Sequence, residues 1–155
     1  MSSGGSGAAY WGDTMKLAPA ESSTTTVMLS TRLTTQLGQP QSTLRAITQR
    51  NGSAVVIRAG GEIDASNEQN WRSLLTEAAA VAAAPGPLVV DLNGLEFMGC
   101  CAFAVLADEA DRCRHRGIEL RLGSRDPGIA RIIAACGFTG VLPLHPTTES
   151  ALSVA

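Results

Sequence analysis

Four cysteines are the side chains of this sequence best suited to covalent chemistry, and two of them, Cys100 and Cys101, are adjacent. A thiol near the N-terminus of a helix is readily ionised to the reactive thiolate, because backbone N–H groups and the helix dipole favour negative charge there. Cys113 and Cys136 follow later in the chain, without the paired spacing of a CxxC motif or a structural zinc site. No metal is therefore predicted. The residue types indicate either reversible thiol oxidation or simple packing.

The stretch from residue 87 to residue 116 predicts the elements that position the adjacent thiols. Leu88–Val90 is an apolar, β-branched run typical of a strand covered on both faces, and Asn93–Gly94 is predicted to end it. A helix then begins near Cys100 and ends at Gly117. Its apolar stripe at helical spacing is Phe103, Leu106, Ala107, Ala110 and Cys113. Helix phase places Cys101 on the polar face and turns Cys100 toward the buried side.

The remaining elements predict a mixed, largely parallel β-sheet of about four to five strands with helices packed on it. Two strands, 43–49 and 54–59, flank the hairpin signal Asn51–Gly52. A helix follows from Ser66, with Trp71 predicted as a core anchor. A strand at 118–122, a helix opened by Asp126–Pro127 and a short strand at 141–144 complete the α/β order.

Composition limits the function classes. The chain has 155 residues, is 45% hydrophobic and carries a net charge of -2, which gives no reason to expect a nucleic acid or an anionic membrane as partner. Residues 1–27 are rich in Gly, Ser, Thr and Ala without periodicity, so they predict a disordered leader or linker. Residues 28–155 are predicted to form one domain. No run of about 20 apolar residues and no secretory pattern is present, so a soluble cytoplasmic protein with reduced thiols is expected.

Two motifs resemble the STAS domains of bacterial anti-sigma factor antagonists. GEID at 61–64 is similar to the family's GELD-type motif, and LVVDLNGLEFMGCCAFAVL at 88–106 is similar to its strand-then-helix stretch. The resemblance implies a protein that binds an anti-sigma factor, which doubles as a serine kinase, and so frees a sigma factor. It also implies that phosphorylation of the first serine in Asp-Ser-Ser-Gly ends the binding.

The sequence departs from the family at the phosphorylated position. Gly99, Cys100, Cys101 and Ala102 stand where the family has Asp-Ser-Ser-Gly. A thiol does not take the stable phosphate of a serine, so the usual switch is missing. The resemblance implies a binding surface at this helix start and no cofactor, with an anti-sigma factor as partner of a monomeric chain. The residues assigned to that surface are Asp64, Ser66, Asn93, Gly99, Cys101, Ala102, Ala104, Val105 and Asp108, and the segment 93–99 is assigned to it as a loop.

Three functions follow from this pattern. The first is an antagonist under redox control, in which Cys100 pairs with Cys136 if the two helix ends are neighbours; a strained Cys100–Cys101 bridge is a less favoured form. The second is a constitutive binding module whose cysteines only fill space. The third is a thiol oxidoreductase or peroxidase. Nucleophilic catalysis by cysteine needs a nearby base, and the sequence places neither His115 nor His145 beside the thiols, so no enzyme is predicted.

Overall fold

The computed structural model describes residues 24–153, which form one mixed sheet with helices on both faces. The strands lie in sequence order across the sheet, β1-β2-β3-β4-β5-β6. The first two pairings are antiparallel and the other three are parallel. Their bounds are Thr24–Thr26, Leu44–Asn51, Ala54–Ile63, Leu88–Met98, Leu120–Gly123 and Leu144–His145.

Five helices connect or cover these strands in the described part of the chain, and the mixed α/β architecture predicted from the sequence is confirmed. They are α1 (Thr31–Leu37), α2 (Glu68–Val81), α3 (Cys100–His115), α4 (Pro127–Ala135) and α5 (Thr148–Ser153). A 3-10 turn, Ala65–Asn67, precedes α2. Helices α2, α3 and α4 share the main core with one face of the sheet. On the other face, Ala151 of α5 packs against Val56 and Val89.

Strand β4 is longer than the sequence indicates. The predicted break at Asn93–Gly94 is wrong, because β4 continues through both residues to Met98. The pairing of β3 with β4 shifts register at two points, between Arg58 and Gly60 and again between Gly61 and Glu62. Gly94 allows β3 and β4 to approach each other closely at this irregular pairing, since a Cβ there would lie 2.8 Å from the carbonyl oxygen of Ala59. A glycine read as a turn signal is instead a site of close strand approach.

Two elements near the start of the described chain, β1 and α1, are not predicted from the sequence. Thr24–Thr26, which the prediction assigned to the leader, pair with residues 49–51 as β1. The short helix α1 follows, and its Leu33 is buried in the main core. The rest of the predicted leader, residues 1–23, lies outside the described residues. Within residues 24–153 there is no helix with both the length and the hydropathy needed to cross a bilayer.

Candidate functional site

The start of α3 lies where β3 and β4 end side by side. Gly99 is the N-cap of α3 in extended conformation, and its N–H donates to the carbonyl of Ile63 at 2.8 Å. Its own carbonyl accepts from the N–H of Ala102 at 3.0 Å. Cys100 is the first residue of the helix and is exposed. These bonds fix the thiol of Cys100 at the carboxyl edge of the parallel strands, where α/β proteins commonly place binding sites.

The end of the GEID motif forms a rigid turn beside Gly99. The Asp64 carboxylate accepts from the Ser66 N–H at 2.9 Å and from its hydroxyl at 2.5 Å. These bonds lower the pKa of Asp64, since they stabilise the ionised form. In return, the Asn67 amide oxygen accepts from the Asp64 N–H at 3.0 Å. A Cβ at Gly99 would lie 3.9 Å from the Asp64 Cα, so the turn and the start of α3 are adjacent.

Trp71 joins α2 to the first turn of α3. Its side chain is fully buried, and the indole N–H donates to the carbonyl of Ala102 at 3.2 Å. On the surface, the Arg72 guanidinium lies 3.3 Å from the Asp108 carboxylate and joins the same two helices. An exposed pair of this kind contributes less than about 1 kcal/mol, so the buried tryptophan fixes the position of the α3 start. The core role predicted for Trp71 agrees with this burial.

The four cysteines lie within the described residues and are all free. Cys100 is exposed and Cys101 is half-buried, which reverses the orientation predicted for the pair. The reason is that α3 packs against both the sheet and α2, so its buried arc is wider than the predicted stripe and is centred nearer Ala102 than Phe103. Cys113 is fully buried, as its place on the stripe predicted. Cys136 is the exposed C-cap of α4.

Burial and charge separate the thiols chemically. Burial raises the pKa of Cys101, and the nearby Glu68 carboxylate raises it further. Burial also raises the pKa of the Cys113 thiol to about 11. Because the thiolate is the nucleophile, both groups are less reactive than an ordinary cysteine near neutral pH. Cys100 and Cys136 are the two thiols open to solvent and reagent.

A Glu68→Gln variant tests this separation. Removing the carboxylate removes a negative charge that disfavours the Cys101 thiolate, so the pKa of Cys101 falls and its alkylation at pH 8 becomes faster. Mass spectrometry of peptides after timed iodoacetamide treatment reports each cysteine separately. Cys136, on a different helix, serves as the internal control and keeps its rate. An unchanged Cys101 rate would show that Glu68 does not control this thiol.

The structure brings together only part of the predicted surface. Asp64, Ser66, Gly99 and Cys101 surround the start of α3, and Ala104 and Asp108 continue along its exposed side. Ala102 and Val105 are fully buried, so their predicted place on an exposed surface is corrected; both fall in the wide arc that faces the core. Asn93 lies apart from this group. Its side chain accepts from the Arg125 N–H at 2.9 Å, which holds the loop before α4, and donates to the Pro146 carbonyl at 3.1 Å, which holds the loop before α5.

Phe97 lies in the segment 93–99, which is predicted to be a surface loop; most of the segment is instead the end of strand β4, which runs to Met98. The Phe97 side chain is 54% exposed, and its ring lies close to Gly99. The residue lies in the stretch that carries the STAS resemblance. Its exposure does not follow from the alternation of buried and exposed side chains along a regular strand, because the irregular pairing of β4 with β3 interrupts that alternation. We define the candidate surface by Asp64, Ser66, Phe97, Gly99 and Cys100.

Both histidines lie away from the start of α3. His115 lies at the far end of α3, where its ring bonds the Asp111 carbonyl, and His145 belongs to β6, two strands from β4. Among residues 24–153, no group of three or more His, Cys, Asp or Glu side chains is arranged to hold a metal ion. The exposed Cys100 thiol, the Asp64 turn and the exposed Phe97 ring lie side by side at the start of α3.

This fold is that of a STAS domain. The STAS domain family matches residues 45–151, and the chain belongs to that family. The anti-sigma-F factor antagonist RsfA of Mycobacterium tuberculosis is 66% identical over 110 residues, which cover 71% of this chain and 86% of RsfA. Rv2638 of the same species, named as a candidate anti-anti-sigma factor, is 62% identical over 124 residues, or 80% of this chain and 84% of that protein.

Solved structures agree on the fold. The crystal structure of an anti-sigma factor antagonist from Mycobacterium paratuberculosis superposes with a TM-score of 0.64 at 26% identity, covering 76% of this chain and 97% of that chain. The unphosphorylated form of the anti-sigma factor antagonist SpoIIAA gives a TM-score of 0.58 at 16% identity, covering 70% and 93% of the two chains. The predicted membership of the STAS family is therefore confirmed.

Proposed function

We propose that this chain is an anti-sigma factor antagonist, which binds an anti-sigma factor and thereby releases a sigma factor. The observation that carries the proposal is the exposed start of α3, held beside the Asp64 turn at the carboxyl edge of the sheet. The high identity to RsfA over most of its length supports the same role. The chain acts by binding and not by catalysis. We expect it to act as a monomer in the cytoplasm, where sigma factors work.

The candidate surface, extended by Cys101, Ala104 and Asp108, is the proposed contact area. Its exposed part combines an aromatic ring, small side chains and a few charges, which suits a specific protein interface. The ionised Asp64 suits a partner with basic side chains at its rim. We propose that this partner is an anti-sigma factor of the serine-kinase type.

Control of the binding is proposed to be oxidative. Cys100 stands where the resemblance places the phosphorylated serine, and both Cys100 and Cys136 are free and exposed. A peroxide-class oxidant would remove two electrons and two protons from the two thiols and form one S–S bond, with the peroxide reduced to water or alcohol. Because a disulfide requires Cα atoms within about 7 Å of each other, the bridge would hold the start of α3 against the end of α4, and the surface held in this way binds the partner less well.

The decisive experiment measures affinity for candidate anti-sigma factors by calorimetry, with the chain reduced and then oxidised by peroxide. We expect binding by the reduced chain, weaker binding after oxidation, and no effect of oxidation in Cys100→Ser or Cys136→Ser variants. Equal affinity in both states would leave a constitutive antagonist. Absence of binding to every candidate would contradict the antagonist role itself.

A further inference from the structure

The second half of β4 has one edge without a neighbouring strand. Strand β5 pairs with β4 only from Leu88 to Asp91, whereas β3 pairs with its other edge as far as Met98. Within residues 24–153, no strand and no backbone hydrogen bond covers the β5 side of the segment from Gly94 to Met98. Such an edge presents N–H and C=O groups that are free to pair with another extended chain.

An apolar groove lies along this open edge. Its volume is about 270 Å³, and it separates the end of β4 from α4. The apolar side chains that line it are Leu92, Leu95, Phe97, Met98, Ile129 and Ile132. Phe97 is one of three large apolar side chains in the described residues that are more than half exposed, and the other two, Met28 and Ile47, are not part of the groove. A free strand edge beside an apolar groove is the arrangement used to bind extended peptides.

Charge restricts what fits the groove. Glu96 and Asp126 are exposed lining residues, and Glu62 is the register neighbour of Phe97 on β3. A second copy of the chain, paired edge to edge through the same segment, would bring the two Glu96 carboxylates close together, which is unfavourable. An occupant with lysine or arginine near its apolar residues is favoured instead.

We propose that this groove binds an extended segment of the anti-sigma factor, which adds to β4 as a further strand. The segment carries apolar side chains at alternate positions and at least one basic residue. The inference rests on the proposed function, because β4 leads directly into Gly99 and Cys100 and the groove is therefore continuous with the candidate surface. Phe97 is the anchor that both regions share.

Amide hydrogen exchange of the full chain tests the added strand. In the free protein, alternate amides of the 94–98 segment are expected to exchange fast, since one edge is open. Saturation with the anti-sigma factor should slow those amides by roughly tenfold or more, as expected for groups that enter a strand pairing. Phe97→Ala should weaken the affinity by about tenfold or more, the usual effect of losing an aromatic anchor. Ile47→Ala, an exposed apolar truncation outside the groove, is the matched control and should keep wild-type affinity.

The outcomes separate the two proposals. If the wild-type chain binds the anti-sigma factor but the 94–98 amides stay fast and Phe97→Ala binds normally, the groove proposal is wrong and the antagonist role stands. If the amides become protected on self-association without any partner, the groove belongs to a second copy and the proposal is overturned. If no anti-sigma factor binds, both proposals fail.

Discussion

A Gly61→Ala variant is expected to lose about 4 kcal/mol of unfolding free energy, the sum of backbone strain and overpacking at one residue. Gly61 has a φ of +89°, which side-chain-bearing residues rarely adopt, and a Cβ there would lie 1.9 Å from the carbonyl oxygen of Thr43. That carbonyl accepts the N–H of Glu62 at 2.8 Å, so it cannot move away without breaking the β2–β3 pairing. The first residue of the GEID motif is therefore required by close backbone packing.

Gly52→Ala provides the matched control for this effect. Gly52 has a similar φ of +65°, but nothing lies within 4 Å of its Cβ position. Only the conformational penalty applies, and the expected loss is about 1 kcal/mol. Urea unfolding followed by circular dichroism measures both variants, and the difference of roughly 3 kcal/mol isolates the contact with Thr43. Equal losses would show that this contact is unimportant.

A Cys100→Asp variant is expected to lose much of its affinity for the anti-sigma factor, which is the second large effect. The carboxylate places a charge at the exposed start of α3, the position where the resemblance puts a phosphate in relatives. The helix N-terminus tolerates the charge in the free protein, so stability should change by less than about 1 kcal/mol. In the complex, the same charge is buried without a partner, and affinity for the anti-sigma factor should fall by about 30-fold, corresponding to roughly 2 kcal/mol.

Two controls make this result interpretable. The side chain in Cys100→Ser has nearly the same size as cysteine and no charge. This variant should therefore bind the anti-sigma factor with the affinity of the reduced wild-type chain. Thr139→Asp adds the same charge at an exposed position after α4, outside the candidate surface, and should also bind normally. If Cys100→Asp binds as well as Cys100→Ser, the start of α3 is not part of the interface.

The sequence predicts the strand–helix framework of this domain well because local signals and packing agree there. Leu88–Val90 are buried as predicted, and so are four of the five residues of the predicted α3 stripe, Ala107 being only partly buried. The motif Asp126–Pro127 likewise opens α4, with the Asp126 side chain accepting from the Gly128 N–H at 2.8 Å. Apolar runs and capping residues predict such elements because these signals act within a short stretch of the chain.

The site is less predictable because it depends on how elements meet. Cys100 is exposed and Cys101 is half-buried, the reverse of the prediction, because α2 covers one side of α3. The spacing of apolar residues along a single helix does not show which neighbouring helix will cover it. Val105 is buried for the same reason. The exposure of Phe97 follows from register shifts between β3 and β4, which no local pattern shows. The pairing of Cys100 with Cys136 stays a prediction, since both thiols are free.

The central claim is that the anti-sigma factor docks over the start of α3, and site-specific alkylation tests it most directly. In a Cys136→Ser background, Cys100 is the only exposed thiol of residues 24–153. Cys101 and Cys113 are also less reactive, because burial raises their pKa values. Treatment with a bulky maleimide at neutral pH, with the labelled position verified by mass spectrometry, blocks that position alone. The account predicts that affinity for the anti-sigma factor falls by about tenfold or more relative to the unlabelled chain. An unchanged affinity after complete labelling would contradict it.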